Sequence, residues 1–298
     1  MKVSMSVAKI ISTSFLPRAH REDTQLCGRP LGFFSHAQNF QTRESVIELI
    51  ELNIREELIC DPGEDLDVYF VNNDVGWDIG NSFISKINGT KLKRGHVFVL
   101  NKENYGRSFG CYDYAFQKLK DRYNYFIFTE DDILINGDGY ASLGVRFFSQ
   151  IPDCGFLAYQ SISNASDGLD LSSEEKRLAH AHGGVGITSN NVLSHVFSKH
   201  GYLPHAKKDQ SQEFVDIIRF GEIPFTNIIH QLGYRLGTIP SNIKLYEYAY
   251  DRMRDITVKR YANLLEVFLY HAKKILYHLL VIRSLNNMLK KIGFFDNA

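Results

Sequence analysis

Apolar runs of strand length, separated by stretches of helical periodicity, constrain the fold of this chain more than any other feature. The pattern repeats from Val7 to Tyr159 and is that of βα units laid into one sheet. The first run, Val7 to Ser12, closes on the small hydroxyl residues Thr13 and Ser14. The next, Asp67 to Val71, closes on a polar turn from Asn72 to Gly76. His96 to Leu100 is followed by Asn101 to Gly106, and Tyr125 to Phe128 is the fourth strand. Val46, Ile47, Ile50 and Ile54 form one stripe of a helix over 43–59. A second helix is predicted over 108–122.

Beyond Phe128 the pattern loosens. A helix over 140–150 and a strand over 155–159 precede a polar excursion from Ser161 to Ser173. Gly183 to Ile187 reads as a glycine-rich strand or turn, Asn191 to His200 as a helix, and two more helices flank Gly221-Glu222-Ile223-Pro224. From Val258 to Ile292 apolar residues fall at helical spacing, and seven Lys/Arg stand against one acid between Lys259 and Lys291. The chain therefore divides into an α/β domain over 1–250 and a basic amphipathic helical tail over 251–298. That tail suits either a helix docked with a solvated basic face or a peripheral contact with an anionic membrane leaflet.

Lysine plus arginine (34) equals aspartate plus glutamate (34), so the global basic field of a nucleic-acid binder is missing. No run of 18 apolar residues offers a transmembrane helix, and Lys9 interrupts the apolar stretch at the N-terminus where a signal peptide would need continuity. Cys27, Cys60, Cys111 and Cys154 are far apart and lack zinc spacing, which suits reduced thiols. A cytoplasmic address is expected, on the inner face of the membrane if the tail is an anchor. The sequons at Asn88 and Asn164 then carry no meaning.

The chemistry concentrates at Glu130-Asp131-Asp132, which follows the strand-like run Tyr125 to Thr129. Three adjacent carboxylates at the mouth of a sheet repel one another and resist burial. A divalent cation relieves that repulsion, and hard oxygen ligands suit Mg2+ or Mn2+. Alternation along an extended chain sends Glu130 and Asp132 to one side and Asp131 to the other. The metal is therefore assigned to Glu130 and Asp132, with Asp131 facing ribose or backbone. The plainer alternative is a solvated acidic turn, or an aspartate capping whatever helix follows.

Other polar groups fall at strand ends, where open α/β sheets bind ligands. Thr13 and Ser14, Asp74 for a nucleobase or ribose, and Arg107 for phosphate near a helix N-terminus complete a candidate donor rim. Each alone is an ordinary polar turn, and only their convergence points to a site.

Asn104-Tyr105-Gly106-Arg107-Ser108 followed by Tyr125 to Asp132 resembles the GT-A-fold glycosyltransferases, in particular the broad family-2-like group. The resemblance spans about residues 5 to 240. It implies a Rossmann-like, mostly parallel central sheet flanked by helices, and a strand-terminal acidic motif holding Mn2+ or Mg2+ on a nucleotide-sugar diphosphate. Glutamate stands here where that motif usually begins with aspartate. A second stretch, Phe220 to Asn227 continuing to Leu236, resembles the segment carrying the general base of inverting members and places Glu222 on it. One acid stands where the group usually has an adjacent pair, and Asp209, Glu213 and Asp216 are neighbouring substitutes. Family analogy also puts His182 near the acceptor or diphosphate.

The resulting expectation is a metal-dependent, inverting hexosyltransferase of polysaccharide biosynthesis. It would move a sugar from a nucleotide-diphosphate donor to a glycan or lipid-linked acceptor. A sugar nucleotidyltransferase is disfavoured by Ser12 to Arg18, which lacks a glycine-rich phosphate loop. A non-catalytic nucleotide-sugar-binding relative remains the second alternative.

Overall fold

The structure is a computed structural model that describes residues 6–16, 43–159, 161–162, 180–181, 184–210, 217–240 and 243–249. The 251–298 tail, the His182 assignment and most of the polar excursion lie outside the described residues.

Seven strands form the central sheet: β1 (Val7–Thr13), β2 (Leu66–Asp74), β3 (Val97–Glu103), β4 (Tyr125–Glu130), β6 (Cys154–Ala158), β9 (Gly186–Ser189) and β10 (Arg235–Thr238). Their spatial order is β10-β6-β9-β4-β1-β2-β3. β1 pairs in parallel with both β2 and β4, whereas β9 runs antiparallel to β4 and β6. Two short pairs lie outside it, β5 (Ile133–Ile135) with β11 (Tyr246–Tyr248) and β7 (Ser161–Ile162) with β8 (His180–Ala181).

The helices are α1 (Arg43–Ile59), α2 (Asp78–Ile87), α3 (Arg107–Leu119), α4 (Tyr140–Gln150), α5 (Asn190–His200) and α6 (Ile223–Gln231), the last entered through a π-helical turn at Ile218–Glu222. Side-chain alternation along β4 sorts several of them into two layers. Phe126 and Phe128 meet Phe116 and Tyr112 of α3, and Phe116 in turn meets Phe197 of α5. On the other face Tyr125 meets Phe148 of α4. β1 obeys the same parity, because Lys9 reaches Glu57 of α1.

Several boundaries differ from the sequence reading. β2 continues through Asn72 and Asn73 instead of turning there. These amides are buried because Asn72 donates to Asn81 and Asn101, while Asn73 donates to Cys111 Sγ and accepts from Lys102. β3 likewise extends to Glu103. The two helices expected around Pro224 are one continuous helical stretch, with a π-helical turn at Ile218–Glu222 just before the proline that has no N–H to donate. The thiols of Cys60, Cys111 and Cys154 are free and buried.

Lys9 sits in mid-strand at 0% exposure, bonded to Glu57 at 2.6 Å. Tyr140 donates to the other Glu57 oxygen at 2.7 Å, and the Lys9 ammonium lies 5.6 and 5.4 Å from the Tyr140 and Tyr246 ring centres. This pair ties β1, α1 and the start of α4 together below the strand ends. Lys9→Met leaves a buried carboxylate without its counter-charge, so we expect a loss of about 3–5 kcal/mol in urea unfolding. The Lys9→Met, Glu57→Gln pair should recover part of it. Equal midpoints for wild type and Lys9→Met would show that the pair contributes nothing.

Candidate active site

The connections fix where a ligand belongs. From β1 the chain winds outward through β2 to β3, then returns to place β4 on the opposite side of β1. The reversal makes the carboxyl ends of β1 and β4 a topological switch point, the crevice where open α/β sheets bind ligands. Thr13 and Ser14 end one strand there, and Glu130-Asp131-Asp132 end the other. A hydrogen bond spans the switch point directly, from the Thr13 hydroxyl to Asp131 Oδ2 at 2.7 Å.

The three carboxylates face different neighbours. Glu130 accepts from the Ser108 hydroxyl on the α3 side. Asp131 bonds Thr13, its N–H donates to Ser12 O at 3.1 Å, and its carbonyl accepts from Asn53 of α1 at 2.6 Å. Strand geometry stops at Glu130, so Asp132 belongs to a turn and its direction does not follow from alternation. Asp132 is 6% exposed, and its carbonyl accepts from the Ala249 N–H at 2.8 Å.

Glu222, 3% exposed, ends the π-helical turn, and its carbonyl accepts from the Thr226 hydroxyl. Tyr112 lies within electrostatic reach of both centres. Burial first, then the charges of Glu130, Asp132 and Glu222 together with Cys111, hold its phenol well above the ordinary range. The charges of three acids singled out from the sequence therefore all act on one buried phenol.

The remaining candidates line the rim farther out. Asp74 is exposed, and bonds from the Asn81 amide and the Gly76 N–H keep its carboxyl below the usual range. It borders an open depression of about 460 Å3 that also touches Asn101, Lys102, Tyr105 and Lys208. Lys102 shapes that edge from below by donating to Asn73 and to the carbonyls of Glu103 and Tyr105. Burial lowers its pKa. Gly106 precedes α3 at φ 73°, where a β-carbon would stand 2.6 Å from the His205 ring. Arg107 follows at φ 49°, an uncommon conformation for a side-chain-bearing residue and one often found near function. Ser14 Oγ is buried without a hydrogen-bond partner among the described residues.

Ser108 and Asn53 bond the acidic stretch and Tyr112 bonds the Thr129 carbonyl just before it, yet none is a candidate from the sequence alone. Asn53 carried a faint signal, a polar residue within the apolar face of α1. Ser108 closes the Asn104-to-Ser108 stretch that carries the resemblance but is given no role there, and Tyr112 carried no signal.

No group of three His, Cys, Asp or Glu among the described residues forms an all-protein metal cage. Two carboxylates, such as those of Glu130 and Asp132, are a donor set of the kind that would suit a hard divalent cation. Mg2+ sites typically take one or two protein carboxylates and draw the remaining ligands from substrate phosphates and water.

Neither a family model nor a curated protein matches the sequence. Solved structures do. A mannosyltransferase from Pyrobaculum calidifontis, in complex with GDP-Man and Mn2+, is 15% identical at a TM-score of 0.45 over 80% of this chain and 56% of that one. TarS from S. aureus is 14% identical at 0.42 over 82% and 36%. A cytidylyltransferase from Leptospira borgpetersenii is 14% identical at 0.45 over 90% and 96%. The chain thus spans little more than half of the first of these and about a third of the second. The mostly parallel seven-stranded sheet, with helices on both faces and one reversed strand, is the Rossmann-like α/β arrangement expected from the sequence.

Proposed function

We propose that this protein is a glycosyltransferase moving a sugar from a nucleoside-diphosphate donor to the hydroxyl of a glycan or lipid-linked acceptor. The observation that carries the reading is the position of the acidic turn. It follows β4 at the switch point, where Asp131 is hydrogen-bonded to Thr13 at the end of β1. The donor would lie across that crevice, its nucleoside toward Thr13, Ser14 and Asp74 and its diphosphate toward Arg107 and the acids.

Glu130 and Asp132 would hold Mn2+ or Mg2+, which when bound supplies positive charge to a departing diphosphate. Ser108 keeps the Glu130 carboxylate oriented. Glu222 accepts the proton of the acceptor hydroxyl while that oxygen bonds the anomeric carbon and the bond from carbon to diphosphate oxygen breaks. Displacement from the face opposite the diphosphate inverts the anomeric centre. Among the described residues no helix is long and apolar enough to cross a membrane. A peripheral contact through the 251–298 tail belongs to this proposal, and equal sedimentation with anionic vesicles by chains with and without the tail would remove it.

The direct check is a thermal-shift screen of nucleotide sugars with Mn2+. A donor held at a hundred times its Kd should add about 2.7 kcal/mol of stability. Chelator should reverse the shift. If no nucleotide sugar stabilises the protein at millimolar concentration with metal present, the donor-binding reading fails.

A further inference from the structure

Five aromatic rings close a circuit beneath the candidate site. Phe128 of β4 stacks on Tyr112 at 4.3 Å between centroids, and Tyr112 meets Phe109 at 5.6 Å. Phe109 meets Phe225 of α6 at 5.7 Å, Phe225 meets Phe156 of β6 at 5.4 Å, and Phe156 returns to Phe128 at 6.3 Å. None of the five is more than 2% exposed. Phe128 lies two residues before Glu130, and Phe225 three residues after Glu222. The circuit is therefore a packed bridge between the acidic turn and the turn that carries Glu222.

Phe109 is the member gripped from several sides. It follows Ser108, the residue bonded to Glu130. A β-carbon at Gly221 would stand 2.5 Å from its ring, and one at Gly184 would stand 2.6 Å away. Gly221 immediately precedes Glu222, so the backbone of the proposed base rests against the Phe109 ring with no side chain between. Interiors packed at this density transmit displacements instead of absorbing them.

We infer that Phe109 is a positioning residue that sets the separation between Glu222 and the Glu130–Asp132 turn by wedging against Gly221. The inference rests on the transferase reading. It assigns Phe109 no contact with substrate. A smaller side chain at position 109 lets the Glu222 turn settle inward, and a larger residue at Gly221 pushes it outward. Both changes displace the base more than the acidic turn, which the β1–β4 pairing and the Thr13–Asp131 bond hold in place. Misplacements of about 1 Å at a reacting centre cost on the order of a hundredfold in rate.

The test measures hydrolysis of the nucleotide sugar that gives the largest thermal shift, using the full chain. Free Mn2+ is titrated separately by electron paramagnetic resonance. Phe109→Leu should lower kcat at least tenfold, with KM for the donor and Mn2+ affinity within twofold of wild type. In a Glu222→Gln background the same substitution should change the residual rate by less than twofold, because the group it positions is gone. Gly221→Ala should cause a similar loss of kcat, and Phe109→Leu combined with Gly221→Ala should recover much of it. Equal losses in both backgrounds, a parallel loss of Mn2+ affinity, or an unaltered kcat in Gly221→Ala would overturn the role of Phe109. A wild type that neither binds nor hydrolyses any nucleotide sugar would instead overturn the transferase reading on which it rests. If Phe109→Leu does not fold, Gly221→Ala alone decides by the same kcat, KM and Mn2+ measurements.

Discussion

Asp132→Asn should lower the rate of sugar transfer by roughly 10²–10⁴-fold, the equivalent of the several kcal/mol that a metal contributes to charge stabilisation. The substitution keeps volume and removes only the charge. Folding should survive, because the carbonyl of residue 132 still accepts from Ala249 and β5 still pairs with β11. Mn2+ affinity should fall with the rate. The neighbouring acids supply contrasts within the same turn. Glu130→Gln retains an oxygen for the Ser108 hydroxyl but loses its charge, so a smaller loss is expected. Asp131→Asn can still accept from Thr13 through its amide oxygen, and its backbone ties to Ser12 and Asn53 persist. It should be the mildest of the three. An Asp132→Asn chain with wild-type rate and Mn2+ affinity would remove the metal assignment.

The order of these effects differs in its grounds from what the triplet suggests as a string of letters. Alternation separates Glu130 from Asp131, and their contacts do lie on opposite faces of β4. It says nothing of Asp132, which belongs to a turn. It also cannot reveal that Asp131 spans the switch point to Thr13, since 118 residues separate the partners. That bond commits two groups named as nucleotide contacts to one another. Whether a ribose also reaches them is a separate question, and Thr13→Val with a donor titration would answer it.

What was legible follows from local periodicity. The helix over 43–59 and the helix over 140–150 have the expected boundaries because each carries an apolar stripe with clear ends. β1 and β4 were legible as apolar runs. The polar ends of β2 and β3 were not, because the side chains of Asn72, Asn73 and Lys102 find partners that include residues distant in sequence. Lys9 shows the same limit in its strongest form. A charge inside an apolar run looks like an interruption, yet here it is the most buried cation described, neutralised by Glu57 from another element. β10 and the β5–β11 pair are short, and their existence depends on packing more than on pattern, whereas α2 does carry a helical stripe, Gly80, Phe83, Ile84 and Ile87, that the sequence reading passed over. The π-helical turn leaves no sequence trace at all.

That turn governs the last prediction. Glu222→Gln should lower transfer by about 10²–10⁴-fold, the usual worth of a positioned general base. The buried site, 3% exposed, accepts glutamine without a change of volume, and the Thr226 hydroxyl still bonds the main-chain carbonyl of residue 222. Donor and Mn2+ binding should stay near wild type, because the acidic turn is untouched. The loss should therefore appear in kcat and not in KM, the mark of an interaction made in the transition state. A π-turn inserts extra backbone into a helical path and redirects the side chain at its end. Placing Glu222 there, against the glycine that abuts Phe109, suits an acid whose aim matters more than its exposure. Asp209, the described alternative, is exposed to solvent. If the Gln chain retains transfer, Asp209→Asn is the next substitution to measure. Retention of anomeric configuration in the product, read by proton NMR at early times, would remove the need for any base and with it this role for Glu222.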